Sequence, residues 1–221
     1  MIDFSLGTTA GKAIHLRVLA DIGDLSTYGV GVANNGGGTD GEEYTFPAMS
    51  VSAGEHILLA RSPADMSLYF DVCYSEFDHV LLDTEGYISQ NGDDAIELFY
   101  DGVAIDVYGD INVDGTNQSW DYADGWAYRK NDASPTTTFD PNGWNYSGKD
   151  ANDDFATNAA SSNPYPIKSY KNYKEDLMIL GIVDPDGGDE PGGTGSTNYA
   201  ARAVELYVIT VSYTHLRAHE T

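Results

Sequence analysis

The chain has 221 residues with 16 tyrosines, 24 glycines and a formal net charge of −24, enough length for one β-domain with attached segments and its own core. The acidity, with an isoelectric point near 4.1, argues against direct nucleic-acid binding by phosphate neutralisation and against an anionic membrane surface, since both need clustered Lys and Arg. One cysteine, Cys73, excludes an intrachain disulfide, and no run reaches the roughly 20 apolar residues of a membrane span, so no membrane insertion is expected. Residues 13–19 alternate, with Ile14, Leu16 and Val18 on one face and His15 and Arg17 on the other, the period of a strand. Residues 21–26 read as a turn, 28–33 as a second strand and 34–41 (NNGGGTDG) as a flexible loop. Short strands are expected at 43–47, 50–51 and 56–60. Residues 62–70 read as a short helix, with Ser62 as N-cap, Pro63 in the first turn and Asp65 near the positive end. Cys73 is expected as a small core residue among Phe70, Val72 and Phe77.

The centre of the chain is residues 91–108, NGDDAIELFYDGVAIDVY. Asp101-Gly102 between two apolar runs is a hairpin signal, because both turn residues must tolerate positive φ. A two-residue loop places Tyr100 opposite Val103, Leu98 opposite Ile105 and Ile96 opposite Val107 on one face. The other face pairs Phe99 with Ala104 and Glu97 with Asp106. Two opposed carboxylates are unfavourable without a cation between them, and Arg129, on a strand expected at 126–130, is the neutraliser. Residues 140–166 are polar, with Trp144 and Phe155 as expected anchors against the edge of the domain.

NGDDAIELF, the Asp-Gly turn and Ile105-Asp106-Val107 resemble the central hairpin of the lamin-tail domain family. The likeness extends to Lys12-Ala13-Ile14-His15-Leu16, where His15 stands for the family's usual Glu, and to residues 126–130 and Trp144. The resemblance implies an all-β, immunoglobulin-like β-sandwich of Greek-key antiparallel sheets over residues 1–170. It also implies a non-catalytic binding or anchoring module, secreted or at a bacterial cell surface, whose partner is a protein or glycan. The rival reading is the accessory domain of an extracellular hydrolase, a nuclease or phosphatase, whose catalytic part lies elsewhere. No export leader is legible at residues 1–14, so an export signal would lie upstream.

Residues 171–197 read as a polar region ending in a Gly/Pro/Asp-rich linker, DPDGGDEPGGTGST. Residues 200–209 align without gaps on 10–19, the first strand of a truncated second copy spanning 198–210. Residues 211–221, VSYTHLRAHET, resemble translated adapter sequence and are expected to be a disordered tail; His215 and His219 lack a third ligand for zinc.

The most specific chemical pattern follows the hairpin. Asp110, Asn112, Asp114, Gly115, Thr116, Gln118 and Asp121 fit D-x-[DN]-x-[DN]-G-x5-E with Asp in the closing place. Alternate oxygens converge on one cation and Gly permits the bend, so calcium is the expected cofactor; the alternative is a polar turn satisfied by its own backbone. Trp120, Tyr122 and Trp126 follow directly: exposed, they would stack on sugar rings, and buried, they would be core. His15, His56 and His79 lie in no nucleophile or base signature.

Overall fold

The computed structural model describes residues 1–6 and 9–169. The linker, second-copy and tail expectations for residues 171–221 lie outside the described residues. The ten strands are β1 (Ile2–Leu6), β2 (Thr9–Arg17), β3 (Tyr28–Ala33), β4 (Tyr44–Thr45), β5 (His56–Ala60), β6 (His79–Leu82), β7 (Ala95–Tyr100), β8 (Val103–Tyr108), β9 (Ala127–Arg129) and β10 (Trp144–Tyr146). Among the described residues one α-helix, α1 (Pro63–Phe70), joins them. The strands form two four-stranded sheets, β1-β2-β5-β6 and β4-β3-β7-β8, and the hairpin β10-β9.

Side-chain alternation decides where each face goes. Ile14 of β2, Val18 just after it, and Ile57 and Leu59 of β5 meet Val30 and Val32 of β3 and Ile96 of β7 in one core shared by the two larger sheets. The opposite face of the first sheet, Ala13, Leu58 and Ala60, is buried in a second core with Met66, Tyr69 and Phe70 of α1 and with Trp126, Tyr128 and Tyr165. All five residues of β5 are therefore buried, which is why HILLA is an unbroken apolar run after its histidine.

Helix α1 starts where its sequence directs. Ser62 caps it by accepting from the Asp65 amide, and Pro63 occupies the first turn. The helix carries the chain over the sheet, so β6 returns parallel to β5. This ladder departs from the expectation of antiparallel sheets; every other ladder among the described residues is antiparallel. Cys73 also departs from expectation. The 3-10 turn Asp71–Glu76 runs over the surface, leaving Cys73 partly exposed and Val72 78% exposed, while Phe70 and Phe77 at its two ends are buried.

The central hairpin turns at Asp101 (φ 47°) and Gly102 (φ 73°), both left-handed as that loop requires. Tyr100↔Val103 and Phe99↔Ala104 pair as expected. A bulge then shifts the ladder so that Leu98 faces Asp106, Glu97 faces Val107 and Ile96 faces Tyr108. The Glu97–Asp106 clash is thus avoided by geometry. Arg129 does reach Asp106, its Nη2 lying 2.6 Å from Oδ2. Trp144 anchors the later segment as expected, through β10, but the deepest anchor is Tyr165, with Phe155 only partly buried. Among the described residues no helix is long and apolar enough to cross a membrane.

Candidate functional site: an acidic loop cluster

Beyond β8 the chain turns at Gly109 (φ 79°), a position pressed against Ala95 and the Trp120 ring where a side chain would collide. The six candidate ligands of the calcium pattern then divide. Asp110, Asn112, Asp114, Thr116 and Gln118 are exposed, and Asp121 is buried. Asp110 Oδ1 accepts the Asn112 amide at 2.9 Å. Asp114 Oδ1 accepts the Thr116 hydroxyl at 2.6 Å and its amide at 2.9 Å, bonds that lower the Asp114 pKa below the usual carboxylate value. Thr116 Oγ1 also lies 2.8 Å from Asp93 Oδ2; its single proton serves one carboxylate at a time.

Asp121, 7% exposed, faces inward. Burial works to raise its pKa, but amide bonds from Ala123 and Asn117 and the Lys149 ammonium at 3.1 Å outweigh that and leave it lowered. These are the bonds of polar turns closed on their own backbone. Three donors already hold the residue that the pattern assigns to closing the shell.

The carboxylates that do converge come from farther apart in the chain. Among the described residues, one group of three or more His, Cys, Asp or Glu has ligand atoms all within 4.8 Å of one another: Asp124, Asp150 and Asp153. Two loops bring them together. The Asp150 amide bonds the Ala123 carbonyl and the Asn152 amide bonds the Asp124 carbonyl, both at 2.9 Å. Asp124 (φ 50°) and Asp150 (φ 58°) adopt the left-handed backbone that Asp tolerates better than most side chains. Hard carboxylate oxygens gathered this way suit calcium or magnesium, the shell completed by carbonyls and water. The group starts three residues beyond Asp121, next to the expected loop, but its partners lie about 26 residues on, which is why local spacing did not reveal it.

Of the two readings of the aromatics, the structure has the buried one. Trp120, Tyr122 and Trp126 are 5%, 0% and 5% exposed. Trp120 packs edge-on against Tyr108 and Phe139, and its carbonyl accepts the Tyr108 hydroxyl. Trp126 donates from Nε1 to the Asn163 carbonyl at 2.8 Å. Their ring faces are filled by protein, so they offer no platform to a sugar.

A second polar constellation was not legible in advance. His15 Nε2 lies 2.8 Å from His56 Nδ1, and His15 Nδ1 lies 3.0 Å from the Tyr165 hydroxyl. Phe77 and Tyr128 crowd the His15 ring. Burial, reinforced by neighbouring positive charge, lowers the pKa of both imidazoles, His56 to about 4. Near neutral pH both rings are uncharged and share protons along the chain of bonds. His15 and His56 face each other across β2 and β5 but lie 41 residues apart, so no local signature contains them.

Comparison with known proteins finds no matching family model, no matching curated protein and no matching solved structure.

Proposed function

We propose that residues 1–170 form a non-catalytic binding or anchoring module of a secreted or cell-surface protein, an immunoglobulin-like Greek-key sandwich of the lamin-tail type stiffened by calcium. The observation that carries the reading is the convergence of Asp124, Asp150 and Asp153, whose carboxylate oxygens lie within 4.8 Å of one another where backbone bonds join two loops. The shared core between two four-stranded sheets and the central hairpin support the architecture. A net charge of −24 supports a cation as its stabiliser. The partner is a protein or glycan surface, engaged elsewhere than at Trp120, Tyr122 and Trp126.

Thermal unfolding of the full chain in calcium and in excess chelator tests this. A ligand of the folded state alone adds about 2.7 kcal/mol at a hundred-fold excess over Kd, several degrees for a domain of this size. The rise is expected to vanish in Asp150→Asn/Asp153→Asn and to persist in Asp110→Asn/Asp114→Asn. Loss in the second variant alone moves the ion to the loop at Asp110, Asn112, Asp114, Thr116, Gln118 and Asp121. Identical curves in calcium and chelator reject the cation.

A further inference from the structure

Along β7 the side chains alternate. Ile96 and Leu98 turn into the core between the two larger sheets, so Glu97 and Phe99 share the other face of their sheet. Directly opposed residues of an antiparallel pair lie on one face. The bulge therefore does more than separate two carboxylates. It puts Asp106 opposite Leu98 and Val107 opposite Glu97. Asp106 thus keeps its Arg129 on the face of Leu98, and Glu97 is left on the opposite face without that cation.

Glu97 is nonetheless only 6% exposed. It forms the floor of a pocket of about 270 Å³ walled by Val107, Ile111 and Phe139, with Asp110 and Thr138 exposed at its rim. The walls are held in place. The Val107 amide donates to the Thr136 carbonyl at 3.0 Å and the Gly38 amide to the Ile111 carbonyl at 2.8 Å. Phe139 packs edge-on against Tyr108 and Trp120. Among the described residues no hydrogen bond or ion pair reaches the Glu97 carboxyl, and no Lys, Arg or His lines the pocket. A carboxyl taken out of water needs a donor or a cation in exchange. This fold encloses the group and supplies neither.

Two properties select the occupant. The pocket has room for several waters at ~30 Å³ each, most of which a single coordinated ion would leave unfilled. Among the described residues the group of three or more metal-ligating side chains lies elsewhere, at Asp124, Asp150 and Asp153. One buried carboxyl beneath apolar walls matches an ammonium head on a short alkyl chain. The N–H groups of the head meet Glu97, and the methylenes lie along Val107, Ile111 and Phe139. We propose that this pocket binds a primary alkylammonium, with Glu97 as its anchor. Asp110 at the rim and the net charge of −24 draw the cation in. Amine binding here requires no calcium and goes beyond the binding-module reading.

The test uses the full chain in an amine-free buffer with chelator, so that failure of the calcium site cannot imitate failure of the pocket. n-Butylamine, protonated at neutral pH, is titrated while backbone amides are followed by NMR. Shifts are expected at Glu97, Ile111 and Thr138, saturating with a Kd on the order of 1 mM, ordinary for a ligand of so few atoms. n-Butanol, which has the shape without the charge, should give none. Glu97→Gln should weaken binding at least tenfold while unfolding at or above the parent's temperature. Ala104→Leu, which narrows the pocket and keeps the carboxyl, should weaken it likewise. Acetyl-lysinamide carries the same head group on a peptide: binding as tight as n-butylamine points to a lysyl side chain of a partner protein, and its failure alone to a free amine. No saturable shift with either amine overturns the proposal, as does an equal response to n-butanol or undiminished binding by Glu97→Gln. A fall of several degrees in the unfolding temperature of Glu97→Gln would make the carboxyl structural and overturn it too. So would calcium, added in place of chelator, that shifts these amides when neither amine does.

Discussion

His15 and His56 show how one pair of side chains sets the pH response of the domain. Both are held neutral by burial, and His56 is lowered to about 4. A histidine with a lowered folded pKa binds its proton more readily when unfolded. The stabilising difference is therefore complete above the unfolded value near 6.5 and is lost as pH falls toward 4. Two protons are involved, and the His56 shift alone corresponds to roughly 3 kcal/mol. Carboxylates with lowered pKa, such as Asp78 and Asp114, lose their contribution below that window. Within it the Met1 amine, lowered to about 5 by burial, acts in the same direction, and Asp94 and Asp106, raised by burial, act in the opposite one. Comparison with a His56 variant therefore isolates the imidazole. Denaturant unfolding across this range should show stability falling with acid, and His56→Gln should flatten the slope by about one proton. A slope unchanged between the parent and His56→Gln would refute the neutral pair.

At the scale of elements, the bulge in β8 and the ion pair it creates join the second sheet to the β9–β10 hairpin. Shifting the ladder after Phe99 turns Asp106 toward Arg129, whose guanidinium also lies 4.3 Å from the Trp144 ring centre. Asp106 accepts further bonds from the amides of Thr136 and Val107. With side chains only 17% exposed on each partner, removing the cation leaves a buried carboxylate uncompensated. Arg129→Met is expected to cost about 3 kcal/mol, in the range for breaking buried pairs, and Asp106→Asn/Arg129→Met to recover part of it. Equal stability of Arg129→Met and the parent in urea would contradict this. The Arg129–Asp106 partnership was legible because a like-charge clash demanded a cation. The bulge was not, since a period-two pattern reads equally well in either register until burial selects one. The helix and the hairpin turn were legible because Ser62, Pro63, Asp101 and Gly102 act within a few residues. Strand β6 pairs through a parallel crossover that no local pattern specifies, whereas β1 carries a short alternation of its own in Ile2, Phe4 and Leu6.

For the whole molecule, the dominant global property is charge. With 35 acidic and 11 basic residues, compaction concentrates like charge, and screening by salt relieves it. The unfolding temperature in chelator should rise by several degrees between 0.01 M and 0.15 M sodium chloride. A fall would mean that favourable ion pairs such as Lys149–Asp121 outweigh the general repulsion. The same scale explains what could be read of the candidate cation site. The acidic loop at 110–121 announced itself by spacing, whereas Asp124, Asp150 and Asp153 meet only because the two loops are zipped together by backbone bonds. Composition alone told that acid is abundant, not which acids converge.

The ladder between β3 and β7 has a consequence in time. Tyr28 meets Tyr100 and Ala33 meets Ala95, so the second sheet cannot close until the intervening polypeptide, which holds β5, α1 and β6, has been gathered. The β7–β8 ribbon forms within microseconds of local search, yet its partner arrives only after a long loop has closed, which places the domain among the slow, high-contact-order folders. During that wait AIELFY stands as an unsheltered apolar edge. Yield on refolding should therefore be governed by protein concentration, because a neighbouring chain's edge can reach this ribbon before its own β3 does.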